Sequence, residues 1–265
     1  MQRARWGAGG FQVWRLFRYP VKSMRGMMAE QLMVLEDGAR WDRAYGVLEC
    51  STDTVLSAKA EGRLLQAAAF FALDRGGASL VVRLPERAPM TPGPMLDEAL
   101  SAFLGRPCRL VAASEHGQGT YEAIEDFEHE DESARRRFAG PPTRFVDESH
   151  LHILSLASLE TMAKQRPELD WRLERFRPNI VLSGGEGPAP ELELIGRRMR
   201  VGSAEIEITG PCRRCVVITR AQPGGIERQL DVLRHLNAEH GATIGVRARV
   251  LTPGRIAAGD IAALC

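Results

Sequence analysis

A chain of 265 residues, 44% hydrophobic and 26% charged, has length and apolar content for one large or two modest domains with a sizeable core. Its formal net charge of +1 favours neither duplex nucleic acid nor a membrane surface as the main partner, and no uninterrupted apolar stretch is long enough to span a bilayer. Five cysteines (Cys50, Cys108, Cys212, Cys215 and Cys265) at irregular spacing are unlike a disulfide framework, and no apolar run follows the basic, glycine-rich residues 1–10; the expected location is the cytoplasm.

In chain order, residues 11–84 read as short strands broken by turns. Phe11-Gln12-Val13-Trp14-Arg15-Leu16 alternates at first and stops at Tyr19-Pro20. Residues 31–35 and 44–50 are short apolar strands separated by Glu36-Asp37-Gly38, and residues 79–84 form another that ends at Pro85. A proline-rich linker over 85–94 leads to a helix over 96–104, with Leu96, Ala99, Leu100 and Phe103 on one face and Gly105 at its C-terminal cap. The charged segment 125–137 reads as a solvated loop or helix face, with a lid or donor-docking surface as its functional alternative.

The second half opens with a strand at 150–155, a helix over 156–165 and a strand at 179–182. A hairpin follows across Gly202-Ser203, then a helix over 226–238 and a strand at 244–251. Many short strands with few helices predict a mainly β protein with β-barrel architecture rather than a doubly wound sheet.

The chemistry concentrates at Gly210-Pro211-Cys212-Arg213-Arg214-Cys215, followed by Val216, Val217 and Ile218, which favour a strand. A zinc site needs a second ligand pair, and His235 and His240 would complete one only by coincidence of folding. A redox dithiol needs a helix after its first cysteine, and iron–sulfur spacing is absent. Two ordinary half-buried thiols, or one thiolate binding a metal held mainly by something else, remain. Arg213 and Arg214 would favour thiolate electrostatically. Upstream, Tyr19-Pro20-Val21-Lys22-Ser23 reads either as an anion-binding loop or as a strand-to-turn transition with a solvated lysine. Arg175-Phe176-Arg177-Pro178-Asn179 offers guanidinium and amide donors around a proline, or surface arginines around a structural one.

Taken together, these segments resemble the MOSC superfamily, the molybdenum-cofactor sulfurase C-terminal domain proteins, and within it the mitochondrial amidoxime-reducing component and its bacterial relatives. The resemblance rests on Tyr-Pro-Val-Lys-Ser at 19–23, Trp-Asp-Arg at 41–43, Leu151-His152-Ile153-Leu154-Ser155, Arg-Phe-Arg-Pro-Asn-Ile at 175–180, Pro-Cys-x-x-Cys at 211–215 and the closing Gly254-Arg255-Ile256-Ala257-Ala258-Gly259-Asp260. It implies a smaller N-terminal β-barrel domain over residues 11–107 and a MOSC β-barrel over 108–265. It also implies a molybdenum cofactor, a molybdopterin with one molybdenum, to which Cys215 would be the protein ligand. Lys22, Ser23 and Arg43 would hold the pterin phosphate and its surroundings. Ser155, Arg177 and Asn179 would contact the pterin, with Arg213 beside it.

Two departures stand out. Relatives in the reductase branch carry Thr-x-Asp-Pro after the ligand cysteine, whereas Ile218-Thr219-Arg220-Ala221-Gln222-Pro223 has no acidic residue. The family's Thr-Ala-Arg-Gln element is weakened to Leu56-Ser57-Ala58-Lys59, leaving Lys59 a poor substitute for its arginine. The expected activity is reduction of an N-oxygenated small molecule. With no iron–sulfur or dinucleotide-binding motif, electrons would come from a separate ferredoxin- or flavin-type donor. A persulfide carrier and a molybdopterin-binding module without reductase activity are the alternatives.

Overall fold

Period-two burial along short strands needs a partner on every edge, and here the strands find it by closing on themselves. The structure is a computed structural model in which residues 10–74, 77–129 and 133–265 are described, so residues 1–9 and part of the charged segment lie outside it. Seven strands form the ring: Phe11–Arg18, Ile180–Ser183, Leu151–Ser155, Thr243–Thr252, Ala204–Arg213, Arg198–Val201 and Ile261–Leu264, which pairs back to the first. Its single parallel pair, Leu151–Ser155 with Ile180–Ser183, is connected through the helix Leu156–Gln165. The interior is filled by Phe11, Val13, Leu16, Ile153, Leu182, Ile206, Ile208 and Val246 among others. The broken alternation of the first strand is a register shift between Val13 and Arg15.

The expected boundary at 107–108 divides the chain but not the folded body. Phe11–Arg18 completes the ring of the second half, and Gln31–Leu35 pairs with Gly254–Ala257. Met27–Ala29 pairs with Phe11–Arg18 in the large sheet, while Tyr45–Glu49, Ala68–Asp74 and Gly77–Arg83 lie in small sheets around a second core that includes Val21, Val47, Leu64, Leu80, Leu96 and Leu100. The helix Pro94–Leu104 packs there and ends at left-handed Gly105. A third core joins the helices Leu156–Gln165 and Asp231–Glu239 around the stacked rings of Trp171 and Phe176.

Three local expectations change. The helix anticipated from 226 begins at Asp231, because Gln222 and Ile226 bridge in a turn before it. The charged segment is framed by a hairpin, Thr120–Ile124 against Arg135–Ala139. The apolar run after Cys215 is a 3-10 turn, Val216–Thr219, rather than a strand. It is held by Thr219 Oγ1 donating to the Val216 carbonyl at 2.8 Å, with Val216 and Ile218 buried. No helix among the described residues is long and apolar enough to cross a membrane.

Candidate functional site

Lys22, Ser23, Arg43, Arg177, Asn179, Arg213 and Cys215 line one cleft of about 180 Å³ between the N-terminal segment and one end of the barrel. On the N-terminal wall, Ser23 is left-handed at φ 68°, and its hydroxyl accepts from the Ala58 N–H at 2.8 Å, tying the lysine loop to the 56–59 turn. The Lys22 ammonium lies 3.9 Å from the Tyr121 ring and donates to the Phe145 carbonyl and, at 2.5 Å, to Asp147. Lys59 reaches the other Asp147 oxygen at 2.9 Å. Desolvation alone would raise the Asp147 pKa; the two ammonium groups outweigh it and hold the carboxyl well below its ordinary range. Burial lowers the Lys22 pKa, against the pull of Asp147. For Lys59, attraction to Asp147 and Cys215 outweighs burial and raises it.

Arg43 and Asn179 form the seam between the walls. Arg43 donates to Asp42 at 2.5 Å, to Asn179 Oδ1 at 3.2 Å and to the Arg177 carbonyl at 3.3 Å, and its guanidinium lies 4.4 Å from the Tyr19 ring. Asn179 Oδ1 also accepts from the His152 N–H, and its amide donates to the Phe17 carbonyl. His152 is buried in the same seam, and desolvation with the neighbouring Arg214 and Arg43 puts its pKa well below the ordinary 6.5.

The barrel wall is different. Arg177, left-handed at φ 55° just before Pro178, places its guanidinium 4.4 Å from the Tyr19 ring, and its side chain makes no hydrogen bond or ion pair among the described residues. Desolvation, reinforced by Arg43, pushes its pKa down to about 10. Arg175, two residues earlier, is fully buried and donates to Asp170 and to the carbonyls of Ile218 and Glu227; it anchors the loop after Cys215 and takes no part in the cleft. Arg214 donates to Cys212 Sγ at 3.1 Å and to the Phe176 carbonyl at 2.7 Å. Arg213 is exposed at the rim, and the Cys215 thiol has no hydrogen-bond partner among the described residues. Arg220, in the same loop, donates to the Lys59 carbonyl at 2.9 Å, so the weakened Leu56-Ser57-Ala58-Lys59 element braces the cysteine loop.

Ser155 does not belong to the cleft, contrary to the expectation that it contacts a pterin. It is fully buried, its Oγ accepts from the Ser158 N–H at 3.1 Å to cap the helix Leu156–Gln165, and it donates to Glu191 at 2.5 Å. His235 and His240 share Gln165 Oε1 as a partner and do not line the cleft. Sequence reasoning missed Asp147, Ser57, His152 and Arg247, all cleft residues. For His152 the signal was present, a polar residue alternating with Leu151 and Ile153; for Asp147, in a polar loop without a motif, there was none.

Chemically, the cleft presents one unpartnered thiol and unpartnered guanidinium groups, with its remaining cations bound to protein acceptors. No group of three or more His, Cys, Asp or Glu among the described residues could hold a metal ion, so Cys215 could be only a single protein ligand to a metal otherwise held.

The family model described as the MOSC domain matches residues 140–262, and that of the MOSC N-terminal beta barrel domain matches residues 10–129. Among curated proteins, the molybdenum cofactor sulfurase of Oryza sativa subsp. japonica is 25% identical over 245 residues, covering 78% of this chain and 28% of that protein. The Homo sapiens molybdenum cofactor sulfurase is 25% identical over 257 residues, covering 83% and 28%. The chain thus spans little more than a quarter of the length of these relatives. Among solved structures, the YUAD protein from Bacillus subtilis aligns with 95% of this chain and 93% of its own at 15% identity and a TM-score of 0.47. YiiM from Geobacillus stearothermophilus aligns with 49% of this chain and 67% of its own at 17% identity and a TM-score of 0.35. The two domain matches follow one another along the chain and the cleft draws on both, which makes this chain a member of the MOSC domain family.

Proposed function

We propose that the cleft binds a molybdopterin-type molybdenum cofactor through Cys215 and that the protein reduces N-oxygenated small molecules in the cytoplasm, with electrons from a separate ferredoxin- or flavin-type donor. The observation that carries this reading is the pairing of an unpartnered Cys215 thiol with the unpartnered guanidinium of Arg177 in one cleft. A thiolate suits a soft or high-valent metal, and a guanidinium suits a phosphate and a polar ring edge. The donor set therefore fits the cofactor, which would supply the oxygen-removing redox chemistry when bound.

The chain's own contribution is orientation and charge. Arg177 and Arg213 would bind the anionic end, while Arg43 and Asn179, saturated by protein partners, hold Arg177's backbone in place. The cleft is lined by two carboxylates, Asp147 and Glu148, and the two lysines keep Asp147 ionised, so at neutral pH it has no proton to donate and is a weak base.

The test is molybdenum and pterin content of wild type and Cys215→Ala, produced in cells able to synthesise the cofactor. Stoichiometric molybdenum in wild type, lost in the variant, supports the reading; neither molybdenum nor pterin in wild type removes it. With loaded protein, NADH alone should give no turnover, and activity without an added reductase would overturn the separate donor. A persulfide carrier is the second reading. It is favoured by the unpartnered Cys215 thiol beside Lys59 and by relatives named as sulfurases. Labelled sulfur retained on Cys215 without molybdenum would select it.

A further inference from the structure

A second cavity, of about 200 Å³, shares Arg177 with the cleft and no other lining residue. Phe17, Tyr19, Met28 and Leu173 give it apolar walls. Arg25, Glu174 and Gln222 supply its remaining polar groups. Gln222 is 5% exposed, and its Nε2 is enclosed without a hydrogen-bond partner; Arg25 Nε is enclosed and unpartnered as well. Neither Arg25 nor Arg177 forms an ion pair among the described residues, so two guanidinium groups face one carboxylate. Enclosed donors without acceptors are costly to the folded chain, a cost that a ligand bearing an acceptor would recover.

Gln222 sits directly before Pro223, the place an acidic residue takes in the Thr-x-Asp-Pro pattern. A carboxylate there would repel an anion, whereas the amide presents two N–H donors to it. The side chain lines this cavity and not the cleft that holds Cys215.

We propose that this cavity binds a small organic monocarboxylate with an apolar body. The carboxylate accepts from Gln222 Nε2 and the Arg25 guanidinium, and the body lies against Phe17, Met28 and Leu173. Apolar walls disfavour a bare inorganic anion, and Glu174 disfavours a second negative charge on the ligand. The proposal does not rest on the cofactor reading, since the carboxylate's partners, Gln222 and Arg25, line this cavity alone.

The experiment is calorimetric titration of the purified full chain with benzoate and with benzamide, its neutral isostere. Benzoate is expected to bind, and benzamide to bind about tenfold more weakly or worse, the equivalent of roughly 1.4 kcal/mol. Gln222→Glu should abolish benzoate binding by adding a negative charge at nearly constant volume. Arg25→Met should weaken it about tenfold at a partly exposed position, where loss of folding is not at issue. Absence of benzoate binding in wild type would overturn the proposal. So would equal binding of benzamide, or an affinity that neither substitution moves.

Discussion

The two walls of the cleft use the same residue types for opposite ends. On the N-terminal side every cation has a protein acceptor: Lys22 and Lys59 share Asp147, and Arg43 is divided between Asp42, Asn179 and the Arg177 carbonyl. On the barrel side Arg177, Arg213 and the Cys215 thiol are left without one. A paired cation makes a framework, because removing it orphans its acceptor, which for Arg43 is the buried Asp42. An unpaired cation held in a cleft is costly to the folded state and is available to a ligand. The contrast separates residues that build the site from residues that receive something in it.

The largest expected effect comes from breaking the framework. Arg43→Met leaves the Asp42 side chain, 1% exposed, without its cation and should cost about 3–5 kcal/mol in chemical denaturation. A loss below about 1 kcal/mol would mean the N-terminal wall is not pre-paired. Next in size is a pH dependence at the seam. His152 is buried neutral in the folded chain, while in the unfolded chain it binds a proton near its ordinary pKa of 6.5. Protons therefore favour the unfolded state, and stability should fall as pH drops through 6.5 toward 5, above the range where Asp147 takes up protons. The contribution of His152 alone is up to about 2 kcal/mol. His150 and His235, also shifted down by burial, add slope of the same sign; His152→Leu should flatten the profile without abolishing it.

Ser155→Ala tests the reassignment of that serine. Loss of the helix cap and of the bond to Glu191 should lower stability by about 1–2 kcal/mol while molybdenum content stays at the wild-type level. A variant that is as stable as wild type but loses metal would return Ser155 to the site. Smallest in stability is Arg177→Met, expected within about 1 kcal/mol of wild type, because its guanidinium makes no hydrogen bond or ion pair among the described residues and touches only the Tyr19 ring. Its signature is ligand affinity: inorganic phosphate should bind about tenfold more weakly or worse. Unchanged phosphate affinity would remove the receiving role assigned to the barrel wall.

Local chemistry was legible where turn geometry or a short motif confines the backbone. Gly105 ends its helix in the left-handed conformation, and Gly202-Ser203 turns the hairpin between Arg198–Val201 and Ala204–Arg213, as the sequence predicts. Motifs far apart in the chain named residues that meet in one cleft, because each carries its own constrained loop into the site: Ser23 and Arg177 are both left-handed, and Arg177 is followed by proline. The β-branched run after Cys215 misled, since a strand propensity is satisfied equally by burying Val216 and Ile218 in a single 3-10 turn.

By itself, then, the sequence determined the mainly β character, the C-terminal end of the helix Pro94–Leu104, the span of the helix Leu156–Gln165 and the cysteine motif, all of which depend on neighbours a few positions away. Only the tertiary structure decided that Phe11–Arg18 closes the ring of the other half, that Asp147 neutralises Lys22 and Lys59, and that Glu191 claims Ser155 for the framework. It also decided which of two arginines two positions apart is an anchor and which is free. Apart from Asp170, five positions from Arg175, these outcomes rest on partners from 36 to more than 160 positions away, and a side chain's role as framework or receptor depends on whether such a partner reaches it first.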